Sequence, residues 1–274
     1  MGHVLRSPAK KRERITRNPL KNMLEMIRRY RVKGLGNVKV KLVMGSTEVH
    51  THTNKDGYFE FSVDSLPGTN QYDVLLPKFN VSQEGQVTAT NPETVVVTDI
   101  DDTVLVSHST SLFKKLYLLL TKNYQRRKAF EGILHLYSEV IGQSGKLFYV
   151  SSSEWNLYDF LNDFMRFNKL PDGVFLLQNI KTGLLDLFKS GGGSHQHKEE
   201  KIRRLMKAYP NPSFVLIGDS GQKDPDIYES LALQFPERIT KVFIRDVRRS
   251  KRSRLILLER NLQQVGVELE VLSK

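Results

Sequence analysis

The chain of 274 residues contains no cysteine. That absence excludes disulfides, thiolate metal sites and a cysteine nucleophile together. No apolar run approaches the roughly 18 residues needed to cross a bilayer, and the amino terminus lacks the charged-then-apolar order of a secretory signal. Gly2 is followed by Arg6 where a myristoylation signal carries Ser or Thr, so that anchor is not expected either. Acidic residues are scarce in two stretches. Residues 1–33 hold eleven Lys or Arg against Glu13 and Glu25, and residues 104–130 hold six against none, within a formal net charge of +12. Such patches favour polyanions, whether phosphate-bearing ligands, anionic membrane or nucleic acid. What remains is ordinary: 39% hydrophobic and 26% charged residues, enough chain for one large or two medium domains, with a cytoplasmic location expected.

Residues 1–18 read as a disordered basic arm. Pro19 to Tyr30 then suits a short helix with Leu20, Met23, Leu24 and Ile27 on one face and Lys21, Arg28 and Arg29 opposite. From Val38 the period changes to two: Val38, Val40 and Leu42 alternate with Lys39, Lys41 and Val43. A turn at Asn54-Lys55-Asp56-Gly57 precedes Tyr58 to Phe61, and Tyr72 to Leu76 makes a further strand, which together suggest a small antiparallel sandwich. The pattern V-K-L…T-N-K-D-G-Y-F-E-F resembles the transthyretin-like or carboxypeptidase-regulatory-like β-domains. His50 and His52 alternate onto one strand face, read as solvated. Residues 80–93, polar with Gly85 and Pro92, read as a linker. The expected division is a basic arm and short helix at 1–33, a β-sandwich at 34–90 and a catalytic α/β domain at 91–274.

The chemistry concentrates in T-V-V-V-T-D-I-D-D-T-V-L-V, Thr94 to Val106. Val95, Val96 and Val97 read as a central strand of a parallel sheet, and ligands of such sheets sit at the strand's carboxyl end. Asp99, Asp101, Asp102 and Thr103 fall there. Crowded carboxylates repel unless a cation neutralises them, and oxygen-only ligands suit Mg2+. A second strand, Lys146 to Val150, runs into Ser151, Ser152 and Ser153, hydroxyls that with a following helix start make an anion site. Further strands are expected at Val174 to Leu177, at Phe214 to Ile217 before G-D-S-G-Q-K-D with Asp219 and Asp224, and at Ile239 to Ile244. Helices are expected from Trp155 through Phe167, from Lys198 with Ile202, Leu205, Met206 and Tyr209 buried, and through Leu262. Alternation of strands and helices argues for a doubly wound parallel sheet. Residues 110–124 read as an amphipathic helix that packs on the core or caps the crevice, its basic flank of Lys114, Lys115, Lys122, Arg126, Arg127 and Lys128 placed to touch lipid.

In their order, D-I-D-D-T, the serine after the second strand, Lys198 and G-D-S-G-Q-K-D resemble the motifs of haloacid dehalogenase-type phosphatases. More closely, Y-V-S-S-S-E-W-N-L-Y at Tyr149 to Tyr158, H-K at His197 and Lys198, F-V-L-I-G-D-S-G-Q-K-D-P-D-I-Y at Phe214 to Tyr228 and I-R-D-V at Ile244 to Val247 resemble the actin-patch-associated phosphatidate phosphatase catalytic domain. Glu154 and Gln178-Asn179 depart from that family's pattern, which tends to have Pro and Arg-Asp. The resemblance implies Asp99 as nucleophile and Asp101 as acid and base. It implies Ser151, Ser152, Thr103 and Lys198 around the phosphoryl group, and Mg2+ held by Asp99, the Asp101 carbonyl and Asp219 with Asp224. Three readings stand side by side. One is a Mg2+-dependent phosphatase for a phosphatidate-like lipid phosphate, in peripheral contact with anionic membrane. Another is a phosphatase for a soluble phosphomonoester or phosphoprotein. The third is a non-catalytic phosphate- or lipid-binding module or a receiver-like switch, although a receiver lacks the second acid pair Asp219 and Asp224. Nucleic acid is not expected as a partner.

Overall fold

A computed structural model describes residues 1–6, 18–63, 68–106, 118, 120–180, 196–247 and 252–272. Near the amino terminus two short pairs form, Gly2–His3 (β1) with Tyr58–Phe59 (β6), and Leu5–Arg6 (β2) with Lys33–Gly34 (β3). A four-stranded antiparallel sheet is built from Lys39–Met44 (β4), Thr47–His52 (β5), Gly68–Leu76 (β7) and Val81–Ala89 (β8), in the order β5-β4-β7-β8. Alternation puts Val38, Val40, Leu42 and Met44 inside, and Val38 and Val40 pack with Val4 and Phe59 from the short pairs. His50 and His52 lie exposed, and His50 pairs with Glu48 at 3.0 Å.

Two expectations are corrected here. Residues 2–6 are strand rather than disordered arm, because Val4 fills the small core and its N–H and carbonyl bond Gly57 and Leu35 at 2.8 Å. Residues 81–89 are strand rather than linker, paired residue by residue with β7 from Leu76 opposite Val81 to Gly68 opposite Ala89. An edge strand needs only backbone pairing, so its side chains carry no inward period.

The helix at Pro19–Tyr30 (α1) has the expected bounds, with Asn18 capping it through Leu20 N–H at 2.9 Å. Its buried face is different. Met26 and Tyr30 are enclosed, whereas Leu20 and Leu24 are 65% and 52% exposed.

Thr94–Thr98 (β9) is a central strand of a six-stranded, wholly parallel sheet. Its companions are Lys146–Glu154 (β10), Val174–Gln178 (β11), Ser213–Asp219 (β12), Ile239–Arg245 (β13) and Glu268–Leu272 (β14), in the order β11-β10-β9-β12-β13-β14. The chain thus starts in the middle, builds outward one way and returns to build outward the other way, so the switch point lies at β9. Val96 faces a layer containing α1, Ile133–Ile141 (α2) and Tyr158–Phe167 (α3). Val95 and Val97 face the opposite layer of Gln196–Ala208 (α4), Asp224–Gln234 (α5) and Arg252–Gln264 (α6). Helix α2 and strand β14 are additions to the expected elements. The expected helix at 110–124 lies outside the described residues except for 118 and 120–124. Of its basic flank, Arg126 and Lys128 are exposed but Arg127 is buried, so Arg127 is no part of a lipid-facing surface.

The amino-terminal correction is testable. Val4→Ala should cost about 1–2 kcal/mol, since a buried branched side chain is lost from a small core, read as a lower urea midpoint. A midpoint equal to that of the unsubstituted protein would return residues 1–6 to a free arm.

Candidate active site

The carboxyl ends of β9, β10 and β12 meet at the switch point. Beyond Thr98 the chain turns, with Val104 and Leu105 N–H groups closing onto the Ile100 carbonyl at 3.0 and 2.9 Å. Asp102 sits in this turn at φ 61°, the left-handed region that Asp tolerates better than most residues, and its carbonyl accepts from Arg245 Nη1 at 2.8 Å. The turn directs Asp99 and Asp101 inward, both buried. Two enclosed phenols brace the strand ends: Tyr137 Oη bonds Thr98 Oγ1, and Tyr228 Oη donates to the Ile217 carbonyl, each at 3.0 Å.

Asp99 is held at both oxygens. Lys198 Nζ donates to Oδ1 at 2.8 Å and Thr103 Oγ1 to Oδ2 at 3.3 Å. The same Lys198 ammonium donates to Asp224 Oδ1, so one buried cation bridges two carboxylates. Asp224 opens α5, and its Oδ2 accepts the Asp219 N–H at 3.2 Å. Gly218 permits this approach, because a Cβ there would lie 2.5 Å from Asp224 Oδ2. Asp219 Oδ1 accepts Gly221 and Gln222 N–H groups at 2.6 and 3.0 Å. Ser151 and Ser153, two apart on extended backbone, share one side of β10. Ser151 Oγ accepts the Ser153 N–H and Ser153 Oγ donates to Asp101 Oδ2, both at 2.9 Å.

Of the expected residues, Asp99, Thr103, Lys198, Asp219 and Asp224 come into one connected cluster, and Asp101 joins Ser151 through Ser153. Among the described residues no hydrogen bond links Ser152 to that cluster, and Ser152 is half-buried. Gln222 and Glu154 were given no role at the site by the sequence, and Ser153 was read there as one of three strand-end hydroxyls. Ser153 was legible from the strand period, which puts it beside Ser151. Gln222 Nε2 donates to the Asp101 carbonyl at 3.2 Å and Asp219 Oδ2 at 3.0 Å, tying the two acidic loops together. Glu154, enclosed at the end of β10, accepts from Tyr30 Oη of α1 at 3.1 Å. No local signal joins positions 124 apart in the chain.

Ligand oxygens of Asp99, Asp219 and Asp224 lie within 4.8 Å of one another. The donor set is all oxygen and buried, which fits a hard divalent cation. The protonation preferences agree. Burial, then Asp224, push Asp219 up to about 7, and burial with the neighbouring acids raises Asp99 well above the ordinary carboxylate value despite Lys198. Burial by itself would depress Lys198, but Asp224 and Asp99 carry it above its ordinary value, so it stays charged. A cation would relieve what protonation otherwise must.

Residues 94–246 match the family described as phosphatidate phosphatase APP1, catalytic domain. Phosphatidate phosphatase APP1 of Saccharomyces cerevisiae is 28% identical over 160 residues, covering 55% of this chain and 25% of that protein. An uncharacterized protein of Schizosaccharomyces pombe is also 28% identical, over 156 residues, covering 56% of this chain and 25% of its own length. The chain thus spans about a quarter of the curated relatives it matches. Among solved structures, a class C acid phosphatase from Bacillus anthracis with tungstate bound aligns with a TM-score of 0.34 and 16% identity, over 55% of this chain and 66% of that one.

The raised Asp219 value sets a pH signature. Its folded value of about 7 lies above the ordinary 3.8, so its contribution to stability is fully present below about 4 and is lost as pH rises through about 7. Asp99 shifts in the same direction and extends the loss. A divalent cation replaces those protons, so the rise in melting temperature that it produces should be larger near about pH 8 than near about pH 5. Equal rises at both pH values would place cation binding elsewhere.

Proposed function

The chain belongs to the family of the phosphatidate phosphatase APP1 catalytic domain, and from that premise we propose that it is a Mg2+-dependent phosphatase hydrolysing a phosphomonoester, with a phosphatidate-like lipid phosphate as substrate. The carrying observation is the buried set Asp99, Asp219 and Asp224, with Lys198 bridging Asp99 and Asp224, at a switch point inside the matched stretch. In this reading Asp99 attacks phosphorus and forms an aspartyl-phosphate, dividing hydrolysis into two displacements. Asp101, oriented by Ser153, protonates the leaving oxygen and then takes a proton from the attacking water, help worth on the order of 10² to 10⁴ in rate. Lys198 and Ser151 hold phosphoryl oxygens, and Thr103 keeps the Asp99 carboxylate in place. Asp99, the Asp101 carbonyl, Asp219 and Asp224 would hold Mg2+, which when bound offsets the charge of carboxylates and phosphate.

For the lipid, support comes from α1. It docks on the site wall through Tyr30 to Glu154 and through Asn156 Nδ2 to the Arg29 carbonyl at 3.0 Å. Its outer side presents Leu20, Leu24, Lys21 and Arg28, an apolar and basic combination suited to an anionic surface. Among the described residues no helix is long and apolar enough to cross a membrane. A cytoplasmic, peripherally bound enzyme fits these features.

Phosphate release should be measured over phosphatidate in vesicles and a panel of soluble phosphate esters. Release from phosphatidate is expected, release from soluble esters alone would replace the substrate, and release from none would end the phosphatase reading. Asp99→Asn should remove turnover with folding intact, because an amide is no nucleophile. Undiminished turnover in folded Asp99→Asn protein would exclude the covalent route. Asp219→Ala should raise the Mg2+ requirement, with partial recovery in excess Mg2+, and full activity after exhaustive chelation would show that no divalent ion is needed.

A further inference from the structure

Arg127 holds a guanidinium only 6% exposed, and among the described residues its Nε and Nη1 have no hydrogen-bond partner. A buried cation with unmade hydrogen bonds is costly, and native structures give such groups a partner or a ligand. Backbone hydrogen bonds hold it on both sides. Asn123 Oδ1 caps the 3₁₀ turn Tyr124–Arg126 through the Arg126 N–H at 3.2 Å, and the Arg127 N–H closes on the Tyr124 carbonyl at 3.3 Å. The next residues pair with the chain just after D-I-D-D-T: Val106 N–H bonds the Lys128 carbonyl at 2.9 Å and Phe130 N–H bonds the Val104 carbonyl at 2.8 Å. Arg127 Cζ lies 5.9 Å from the Phe160 ring centroid, on the helix that follows the serine strand. The guanidinium is therefore wedged between the elements that follow β9 and β10. The carboxylates of Asp101 and Asp102 are its electrostatic neighbours, offsetting part of the burial that lowers its proton affinity. It remains charged, since even a depressed guanidinium stays protonated at neutral pH.

Asp101 and Asp102 supply charge to Arg127 but take up neither free N–H group. Both N–H groups therefore lack an acceptor among the described residues. Resting on the phosphatase reading of this site, we propose that Arg127 is a substrate-binding residue whose free N–H groups donate to a non-bridging oxygen of the phosphoryl group, on the side of Asp101. That adds a second cation to Lys198 at the phosphoryl group, one beside Asp101 and the other on Asp99. A planar, permanently charged donor suits this task better than an ammonium.

Inorganic phosphate, as the product, carries the same oxygens and serves as the probe. In Arg127→Gln and Arg127→Lys the inhibition constant for phosphate should rise on the order of ten- to a hundredfold, the loss expected for a charge-assisted hydrogen bond. The KM for a small soluble ester should rise with it, and kcat should fall by less. Low concentrations of guanidinium should partly restore KM in Arg127→Ala. In the unsubstituted protein the Arg127 Nε–H resonance should shift on titration with phosphate, a readout that needs no variant to fold. An unmoved resonance, or unchanged phosphate inhibition and KM in a folded Arg127→Gln protein that still hydrolyses ester, would overturn the assignment and leave Arg127 as a counter-charge to Asp101 and Asp102. If instead the unsubstituted protein hydrolyses no ester yet shows the Arg127-dependent phosphate binding, the binding role stands and the phosphatase reading falls.

Discussion

Like charge held at close range, out of water, is the constraint on which the parallel half of this protein depends. Asp99, Asp101, Asp102, Glu154, Asp219 and Asp224 are buried together near three strand ends, against the buried cations Arg127, Lys198 and Arg245 among the described residues. At the low effective dielectric of an interior such an excess of negative charge would drive the strand ends apart or force protonation. Five of these acids are therefore tied to specific donors: Asp99 to Lys198 and Thr103, Asp224 to Lys198 and the Asp219 N–H, Asp219 to the loop amides and Gln222, Asp101 to Ser153, Glu154 to Tyr30. The residual imbalance suits this cluster of oxygens to a divalent cation.

The fold supplies those positions through its topology. Parallel strands all end on one edge, so residues 120 apart in sequence, Asp99 and Asp219, arrive side by side without any local connection. Helix α4 contributes Lys198 from within its first turn, and α5 contributes Asp224 at its own start, where the free amide groups of a helix favour a carboxylate. The apolar layers beneath make these positions rigid. Tyr137 and Tyr228 fill the space immediately behind the strand ends, and their hydroxyls satisfy Thr98 and the Ile217 carbonyl rather than reaching the crevice.

Much of this was legible in the chain. A run such as Val95 to Val97, ending in three acids, has few uses outside a buried parallel strand; the alternation of strands and helices pointed to the doubly wound sheet, and the acid-bearing strand ends to the members of the acidic cluster. What escaped had physical reasons. Strand β8 is exposed at 81–84 and 86–88 and so lacks a hydrophobic period; a local mark is Asn80 at φ 50°, closing the turn out of β7. Residues 2–6 are too short and too basic in surroundings to read as strand, and only Val4 is enclosed. On α1 the leucines marked the wrong face, because the partner surface takes up Met26 and the long, hydroxyl-tipped Tyr30. Arg127 sits in a basic run whose neighbours face solvent, and one-dimensional charge patterning does not distinguish a surface arginine from one turned inward.

The enclosed Glu154 connects the two halves of the molecule. Its carboxylate closes the serine strand, beside the Ser153 that orients Asp101, and its partner Tyr30 belongs to α1. Burial and the nearby carboxylate keep the Tyr30 phenol protonated, so it serves steadily as a donor. The same wall is held by Asn156 on the Arg29 carbonyl, by Asn22 Nδ2 on the Thr121 carbonyl at 2.8 Å, and by Trp155 against His3 at 5.5 Å. Across the opposite helical layer Arg204 pairs with Glu60 at 2.5 Å, although that pair is exposed and contributes little. Removing α1 would leave Glu154 a buried acid without its phenol donor, next to the serine whose hydroxyl holds Asp101. The amino-terminal helix is thus structurally part of the site's wall, and the same helix carries Leu20 and Leu24 outward, so an exposed apolar surface and the acidic cluster are joined through the Tyr30–Glu154 contact.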